Sequence, residues 1–210
     1  PGKDLHAQEI IVPGDISSAA YFIAAALMVP DSEILIKNVG INPTRDGLLR
    51  VCQDMGADIT LLNENYGNGE PTADLLIRHS ELHGVTVSGS VIPTLIDELP
   101  VVAALACFAR GTTVIRDAQE LKVKESNRID VMVNNLRAMG AHIEGTDDGM
   151  IIEGGYPLHG AIIDSHLDHR IAMTFAITAL ASDGETSIKG ADCVKISYPG
   201  FYEDLTRLAK

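Results

Sequence analysis

The tripeptide Leu-His-Gly stands at Leu82–Gly84 and again at Leu158–Gly160, and a near copy, Leu-His-Ala, stands at Leu5–Ala7. After each copy comes a short β-rich stretch, and then an Asp that opens an apolar run rich in alanine. A shared tripeptide often arises by chance, but agreement in the order of several elements does not, and such repeats constrain the whole fold. The chain is therefore predicted to contain three copies of one unit, at about residues 5–80, 82–155 and 158–210.

Each unit is predicted to follow the order strand, helix, strand, helix, strand, strand. The first helix of a unit is apolar on every side, and a helix of this kind belongs in the interior. The second helix is amphipathic and, in the first two units, ends at a Met-Gly-Ala turn where glycine stops the helix. Three parallel buried helices predict a single α/β domain, of α+β type, over residues 1–210. The predicted buried helices are Asp15–Met28, Asp97–Phe108 and Asp168–Leu180, and the predicted first strands are Glu9–Val12, Val85–Val87 and Ala161–Ile163.

The third unit is incomplete in this sequence. It has its first strand, its buried helix, a strand at Glu185–Ile188 and a closing helix near Phe201–Leu208, but the chain stops at Lys210. Its two final strands are missing, and the few residues before Leu5 could not supply them. We therefore expect a longer parent chain whose own N-terminus completes the third unit.

The composition supports one domain and excludes some partners. With 46% hydrophobic residues among 210, the chain can bury one sizeable core. A formal net charge of −13 argues against nucleic acid, which needs a basic surface. No stretch approaches the roughly 20 apolar residues of a membrane span. Three cysteines, an odd number, favour reduced thiols and a cytoplasmic location.

The starts of the buried helices are candidate anion-binding positions. Parallel helices place their N-termini on one side, where free N–H groups and the helix dipole favour anions. An N-cap Asp is expected at Asp15, Asp97 and Asp168. The first of these lies in Gly14–Ser18, whose small and hydroxyl-bearing residues suit such a site, although plain capping is the simpler interpretation of Asp15.

A second candidate site is Lys122–Arg128, which places three cations and one carboxylate in seven residues of an acidic protein. In an extended segment, Lys122 and Lys124 would lie on the same face. Glu125 is flanked by Lys124 and Arg128 and is expected to stay ionised. A solvated run of charges at a helix start is the alternative interpretation.

A third candidate site is Asp168–Arg170, at the start of the third buried helix. A cation at this end opposes the helix dipole, so it is more typical of an anion-binding site than of a purely structural helix start. Asp164, His166 and Asp168 resemble metal ligands on one strand face. No Cys or His at a suitable spacing supports them, and no metal is predicted.

Three of these segments resemble the signatures of one enzyme family. Val123–Arg128 is similar to the Val-Lys-Glu-Ser/Thr-Asp-Arg signature of the 5-enolpyruvylshikimate-3-phosphate synthases. Asp168–Met173 and Gly14–Ala20 resemble two further signatures, and the order of all three agrees with the family over essentially the whole chain. Asn127 departs from the pattern, because the family usually has Asp there, and we expect a modest effect.

The resemblance implies a fold, an activity and a partner. Family members have two domains, each an inverse α/β barrel of three βαβαββ units, and this chain is expected to be the C-terminal half. The implied activity transfers the enolpyruvyl group of phosphoenolpyruvate to the 5-hydroxyl of shikimate 3-phosphate, with release of phosphate and without a cofactor. The missing N-terminal domain is the implied protein partner, and the inhibitor glyphosate is expected to occupy the phosphoenolpyruvate subsite.

The resemblance also implies roles for particular residues. Asp97 is expected to contact shikimate 3-phosphate and to accept the proton of its 5-hydroxyl. Lys124 is expected to bind the same substrate near the reacting centre, and Glu125 to exchange a proton with the methylene carbon of phosphoenolpyruvate. The residues expected to hold phosphoenolpyruvate are Arg128, Arg170 and Lys195, with His169 at the border of that pocket.

Three other functions stay open from the sequence. A UDP-N-acetylglucosamine enolpyruvyl transferase would share the fold and the chemistry but not the signature around Lys124 and Glu125. An RNA-end cyclase with a related unit conflicts with the acidic composition. A folded binding half without turnover of its own is the expectation for this chain by itself, because an active site between two domains requires both of them.

Overall fold

Three helices lie side by side at the centre of the molecule: α1 (Ile16–Met28), α3 (Leu99–Phe108) and α5 (His169–Leu180). The computed structural model describes residues 12–67 and 69–209. The first two central helices contain no charged residue, and nearly all side chains of the three are buried. Burial on every side is what their all-round apolar sequences predict.

Three further helices of the described residues bury one face each in the same hydrophobic core. They are α2 (Gly47–Asp54), α4 (Arg128–Ala138) and α6 (Phe201–Leu208). In α6 only Phe201 is fully buried, and its ring contacts Tyr21 and Phe22 of α1 at centroid distances of 5.8 Å. This helix has the bounds predicted from the sequence.

Within residues 12–67 and 69–209, nine strands form three small sheets around the helices, which gives a mixed α/β fold. The first sheet has the order β1-β3-β2, all antiparallel, and the second has the order β4-β5-β7-β6, in which only β4 and β5 are parallel. In the part of the chain that is described, the third sheet is the parallel pair β8-β9. The strands are β1 (Glu33–Gly40), β2 (Asp58–Asn65), β3 (Thr72–Arg78), β4 (Thr86–Val87), β5 (Gly111–Ile115), β6 (His142–Gly145), β7 (Met150–Gly154), β8 (Ile162–Asp164) and β9 (Ser187–Lys189).

The predicted first strand at Glu9–Val12 lies almost wholly outside the described residues. Val12 is described and is not part of a strand, but Gly14 forms a parallel bridge with Val39 of β1. The corresponding strands predicted at Val85–Val87 and Ala161–Ile163 are present as β4 and β8.

The helix starts correct one prediction. Asp15 and Asp168 do cap α1 and α5, because their carboxylates accept bonds from the backbone N–H groups at the helix starts. Asp97 does not cap α3 but lies in the short 3₁₀ turn Ile96–Glu98. If Asp97 were the N-cap, the third helical position would be Pro100, which has no N–H to donate. The Asp97 carboxylate is therefore free for other contacts.

The His of each Leu-His-Gly tripeptide is hydrogen-bonded to the end of the helix that precedes it in the chain. The backbone N–H of His83 donates to the Met55 carbonyl at 3.0 Å, and His159 donates in the same way to Met139 at 2.9 Å. Each imidazole lies against the glycine that follows that methionine, and a Cβ on Gly140 would come within 3.1 Å of the His159 ring. The glycine has a φ of +91°, which glycine adopts without strain.

Candidate anion-binding site

A cluster of charged side chains lies where α3, α4 and α5 begin. Asp97 comes from the turn before α3, Arg128 is the first residue of α4, and Asp168 is the N-cap of α5. Because the N-termini of these helices converge, residues that are about 30 to 70 positions apart in sequence make direct contact. The first turn of α1 joins the cluster through Ser17, which donates to Glu98 beside Asp97.

Arg128 is the buried centre of this cluster. Its side chain has no exposed surface, yet its guanidinium reaches three carboxylates. Nε donates to Asp168 at 2.8 Å, Nη1 to Asp97 at 3.2 Å and Nη2 to Glu125 at 2.5 Å. A buried guanidinium of this kind is stable only with such compensation.

Asp168 is saturated with hydrogen bonds. Its carboxylate is fully buried and accepts from Arg128, from the Ser126 hydroxyl at 3.0 Å and from the Arg170 backbone N–H at 3.0 Å. Burial alone would raise the pKa of Asp168, but the hydrogen bonds and the charge of Arg128 outweigh it and lower the pKa below its ordinary value. Asp168 is therefore held as a carboxylate that fixes Arg128.

Asp97 lies among three cations. Its Oδ1 is 3.2 Å from Arg128 Nη1 and 3.6 Å from Lys124 Nζ, and its Oδ2 is 3.6 Å from Arg170 Nη2. Burial tends to raise the pKa of Asp97, but Arg170, Lys124 and Arg128 together bring it below its ordinary value. Asp97 is thus an ionised group among donors, as a group that accepts a proton from a substrate must be.

The segment before Lys124 has a different backbone conformation from the one predicted. Residues Gln119–Val123 form a 3₁₀ turn and not an extended segment, so the prediction that Lys122 and Lys124 share a face through strand alternation is wrong. Lys122 is exposed, whereas Lys124 is half-buried and also bonds Glu120 at 2.5 Å. This bond is the main reason that the pKa of Lys124 is raised.

Glu125 is the most exposed carboxylate in contact with Arg128. Half of its side chain (51%) is open to solvent, whereas that of Asp97 is 24% exposed and that of Asp168 is fully buried. A carboxylate at this position can move away from Arg128 without leaving water. Its movement would open one edge of the buried guanidinium.

Arg170 and His169 stand at the start of α5. The Arg170 side chain is 17% exposed, and its contacts are long: 3.5 Å to the Asp97 carbonyl, 3.6 Å to the Asp97 carboxylate and 3.7 Å to Glu98. Its N–H donors are therefore less completely used than those of Arg128. His169 is buried, and burial together with the charge of Arg170 lowers its pKa, which favours the neutral imidazole.

Lys195 lies apart from the cluster. It belongs to the 3₁₀ turn Ala191–Ile196, which packs against α5, and its Nζ bonds Asp192 at 2.7 Å. The side chain is 66% exposed. Among residues 12–67 and 69–209, no hydrogen bond or ion pair joins it to Asp97, Arg128 or Arg170.

Two residues of the cluster, Glu98 and Arg45, were not identified from the sequence as site residues. Glu98 is 1% exposed, and its Oε1 accepts from the Ser17 hydroxyl and is 3.6 Å from Arg45. Glu98 gave a partial signal, because a charged residue beside an all-apolar helix is unusual. Arg45 gave none, since it lies in a loop 53 positions before Glu98 and is brought near only by the fold.

Neither a metal-ligand cluster nor a membrane-spanning helix is present in the part of the chain that is described. There, no group of three or more His, Cys, Asp or Glu side chains is arranged to hold a metal ion. Asp164, His166 and Asp168, which resemble metal ligands in the sequence, do not form such a group. None of the described helices is long and apolar enough to span a bilayer.

Solved structures share this fold. An EPSP synthase from Acinetobacter baumannii superposes with a TM-score of 0.93 at 40% identity, over 99% of this chain and 48% of that one. The enolpyruvyl transferase NikO from Streptomyces tendae superposes with a TM-score of 0.74 at 20% identity, over 95% of this chain and 44% of that one. The fold is therefore that of an enolpyruvyl transferase domain.

Sequence comparisons identify the family. The model of the family described as EPSP synthase (3-phosphoshikimate 1-carboxyvinyltransferase) matches residues 1–205. The chain is 55% identical over 208 residues to a 3-phosphoshikimate 1-carboxyvinyltransferase of Thermoanaerobacter sp. (strain X514), covering 99% of this chain and 49% of that protein. Against that of Synechococcus sp. (strain RCC307), it is 51% identical over 210 residues, covering 100% and 48%. The chain belongs to the EPSP synthase family, and it spans about half the length of these relatives.

Proposed function

We propose that this chain supplies one half of the active site of a 3-phosphoshikimate 1-carboxyvinyltransferase. The reaction moves the enolpyruvyl group of phosphoenolpyruvate onto the 5-hydroxyl of shikimate 3-phosphate and releases phosphate. The observation that carries the proposal is the ionised Asp97 among Lys124, Arg128 and Arg170, with Glu125 at the exposed edge. Membership of the EPSP synthase family supports the same reaction.

The substrates are anions, and the cluster offers cations in two settings. Arg170 has donors that are not fully used, so it is suited to bind the carboxylate or phosphate of phosphoenolpyruvate through its planar fork. Arg128 can join it only if Glu125 moves away from Nη2. Lys195 would reach the same ligand from the turn that packs on α5, and His169 would border it as a neutral ring. Lys124 would bind shikimate 3-phosphate beside Asp97.

The proposed mechanism is addition followed by elimination. Glu125, in its protonated form, gives a proton to the methylene carbon of phosphoenolpyruvate, while Asp97 takes the proton of the 5-hydroxyl, whose oxygen attacks the neighbouring carbon. The tetrahedral intermediate then loses phosphate, which takes up the proton held by Asp97, and a proton returns from the methyl carbon to Glu125 to restore the enol ether. Arg170 and Lys195 offset the charge that moves onto the leaving phosphate. In this scheme, Glu125 loses its ion pair with Arg128 when it takes up the proton that it later donates.

A finer description of the fold belongs to the same proposal. We take the domain to be an inverse α/β barrel of three βαβαββ units and the C-terminal half of its parent protein. Supporting this, the sheet β4-β5-β7-β6 has four strands, whereas the third sheet has two among the described residues. The N-terminus of the parent protein would supply two strands beside β9, and its other domain would close over the site. The buried free thiols of Cys52, Cys107 and Cys193 agree with a cytoplasmic location.

The test is phosphate release from phosphoenolpyruvate and shikimate 3-phosphate, with this chain alone, with the other half of its parent protein added, and with full-length protein. Activity only when both halves are present is the expected result. Activity of this chain alone would contradict the two-domain site. Activity with UDP-N-acetylglucosamine in place of shikimate 3-phosphate, or with neither acceptor, would overturn the proposed reaction.

The variant Glu125→Gln tests the chemistry in the full-length protein. It keeps the shape of the side chain but cannot exchange a proton, so kcat should fall by about 10² to 10⁴. Glu81→Gln is the matched control, because Glu81 also pairs with an arginine, Arg110, but at an exposed surface. An active Glu125→Gln enzyme would remove Glu125 from the mechanism.

A further inference from the structure

Glu98 is a buried carboxylate that the proposed mechanism does not use. It precedes α3 and is 1% exposed. Its Oε1 accepts a hydrogen bond from the Ser17 hydroxyl, whereas Oε2 is buried without a hydrogen-bond partner. Burying a carboxylate with one bare oxygen costs stability, so its presence needs a compensating interaction.

The compensation comes from two guanidinium groups on either side. Arg45 Nη2 is 3.6 Å and Arg170 Nη1 is 3.7 Å from the same oxygen, Oε1 of Glu98. Arg45 is also anchored by a 2.8 Å bond to the Ser17 hydroxyl. Burial raises the pKa of Glu98, while Ser17, Arg170 and Arg45 act in the opposite direction. One buried oxygen therefore links α1, the loop before α2, and the start of α5.

The distances around Arg170 show how Glu98 affects the Arg170 guanidinium. Glu98 Oε1 lies at 3.7 Å from one terminal nitrogen, and Asp97 Oδ2 lies at 3.6 Å from the other. Both separations exceed a hydrogen bond but are within the range of a strong charge attraction in a partly buried site. Arg170 is thus held between two carboxylates, and apart from the 3.5 Å bond from Nη1 to the Asp97 carbonyl most of its N–H donors stay available to a ligand.

We infer that Glu98 is a positioning residue that holds the Arg170 guanidinium ready for phosphoenolpyruvate, and that Ser17 and Arg45 hold Glu98 in place. This inference rests on the proposed function, in which Arg170 binds phosphoenolpyruvate. Without the Glu98 charge, Arg170 is free to take other rotamers, and the substrate must order it again at an entropic cost. The loss should therefore appear in the binding of one substrate and not of both.

The experiment is steady-state kinetics of the full-length protein with Glu98→Gln, which keeps the shape and an acceptor for Ser17 but removes the charge. The KM for phosphoenolpyruvate should rise about tenfold, as expected for one lost charge contact, while the KM for shikimate 3-phosphate changes by less than about twofold. Glu98→Asp, which restores the charge, should recover part of the affinity. Glu81→Gln, the surface control, should match the wild type in both constants.

A double-mutant cycle with Arg170→Met separates positioning from a structural role. If Glu98 acts through Arg170, the effect of Glu98→Gln on phosphoenolpyruvate should disappear once Arg170 is already replaced. Additive effects, equal rises in both KM values, or a lowered melting temperature with unchanged KM would each overturn the inference. If Glu98→Gln does not fold, Ser17→Ala decides, and unchanged KM for phosphoenolpyruvate in that variant overturns it. An inactive wild-type protein would instead refute the proposed function itself.

Discussion

Arg128 and Arg170 belong to one cluster but differ in burial and in how tightly the protein binds their guanidinium groups. Arg128 is fully buried, and its contacts with Asp168, Asp97 and Glu125 are short hydrogen bonds. Arg170 keeps some exposure, and its contacts with Asp97 and Glu98 are 3.5 Å or longer. An arginine bound by its own protein costs energy to recruit for a ligand, whereas one held at a distance can bind at once. We therefore propose that Arg128 mainly holds the charged cluster together and that Arg170 mainly binds the substrate.

The largest expected effect comes from Asp168→Asn, which removes the main charge partner of Arg128. The free energy of unfolding should fall by about 3 to 5 kcal/mol at neutral pH, because a buried guanidinium loses its compensation. Urea unfolding of this chain measures it. Asp192→Asn, at an exposed pair with Lys195, is the control and should leave stability unchanged. A loss below about 1 kcal/mol for Asp168→Asn would mean that Arg128 does not depend on its surroundings as described.

Replacing Arg170 should weaken substrate binding more than it lowers the free energy of unfolding. Arg170→Met in the full-length protein should weaken phosphoenolpyruvate binding by about 2 kcal/mol, roughly thirtyfold, since charged hydrogen bonds to the ligand are lost. The free energy of unfolding should fall by less than it does in Asp168→Asn, because the contacts that Arg170→Met breaks are 3.5 Å or longer and Glu98 keeps Arg45 and Ser17 as partners. Calorimetric titration measures the change in binding free energy, and urea unfolding measures the change in the free energy of unfolding. The contrast fails if Arg170→Met destabilises the protein as much as Asp168→Asn does. Arg110→Met is the control at an exposed arginine.

The smallest expected effect is a difference in pH dependence between Glu98 and Asp168. Burial raises the pKa of Glu98 above its ordinary 4.5, so its proton stabilises the folded protein below pH 4.5 and that stability is lost as pH rises through the folded pKa. For Asp168, the bonds from Arg128 outweigh burial and lower the pKa below 3.8, so stability is present above pH 3.8 and lost as pH falls through the folded pKa.

The two amide variants should therefore respond in opposite directions. Relative to the wild type, Glu98→Gln should gain stability as pH rises above 4.5, and Asp168→Asn should gain stability as pH falls below 3.8. Urea unfolding across this pH range measures both slopes. Slopes of the same sign would show that the two buried carboxylates do not differ in the way their contacts indicate.

Periodicity and helix signals predicted much of the fold. The all-round apolar runs gave the three central helices, and the bounds of α6 agree with the sequence at Phe201 and Leu208. Two local predictions failed. Pro100, which is close to Asp97 in the sequence, lacks the N–H donor that an Asp97 cap needs. Strand alternation does not apply to the residues before Lys124, because they form a 3₁₀ turn.

The site was predictable only in part, for a related reason. Asp97, Lys124, Glu125, Arg128, His169 and Arg170 were selected through motifs and a family resemblance, and the fold brings them together. Their roles remain predictions. Arg45 and Glu98 form a pair across 53 positions, and nothing in either local sequence indicates the other. The position of Lys195 also depends on the packing of the turn Ala191–Ile196 against α5, which the sequence around Lys195 does not reveal.

The origin of the site in separate helices has a consequence for assembly. Ser17 belongs to α1, Arg128 to α4 and Arg170 to α5, so the charged cluster exists only when these helices are docked together. A molecule in which one of these helices is detached lacks part of the cluster and therefore part of the candidate anion-binding site. A ligand that binds this cluster binds only when the helices are docked. By mass action it should therefore reduce the separation of whole helices more than it reduces the motion of single loops.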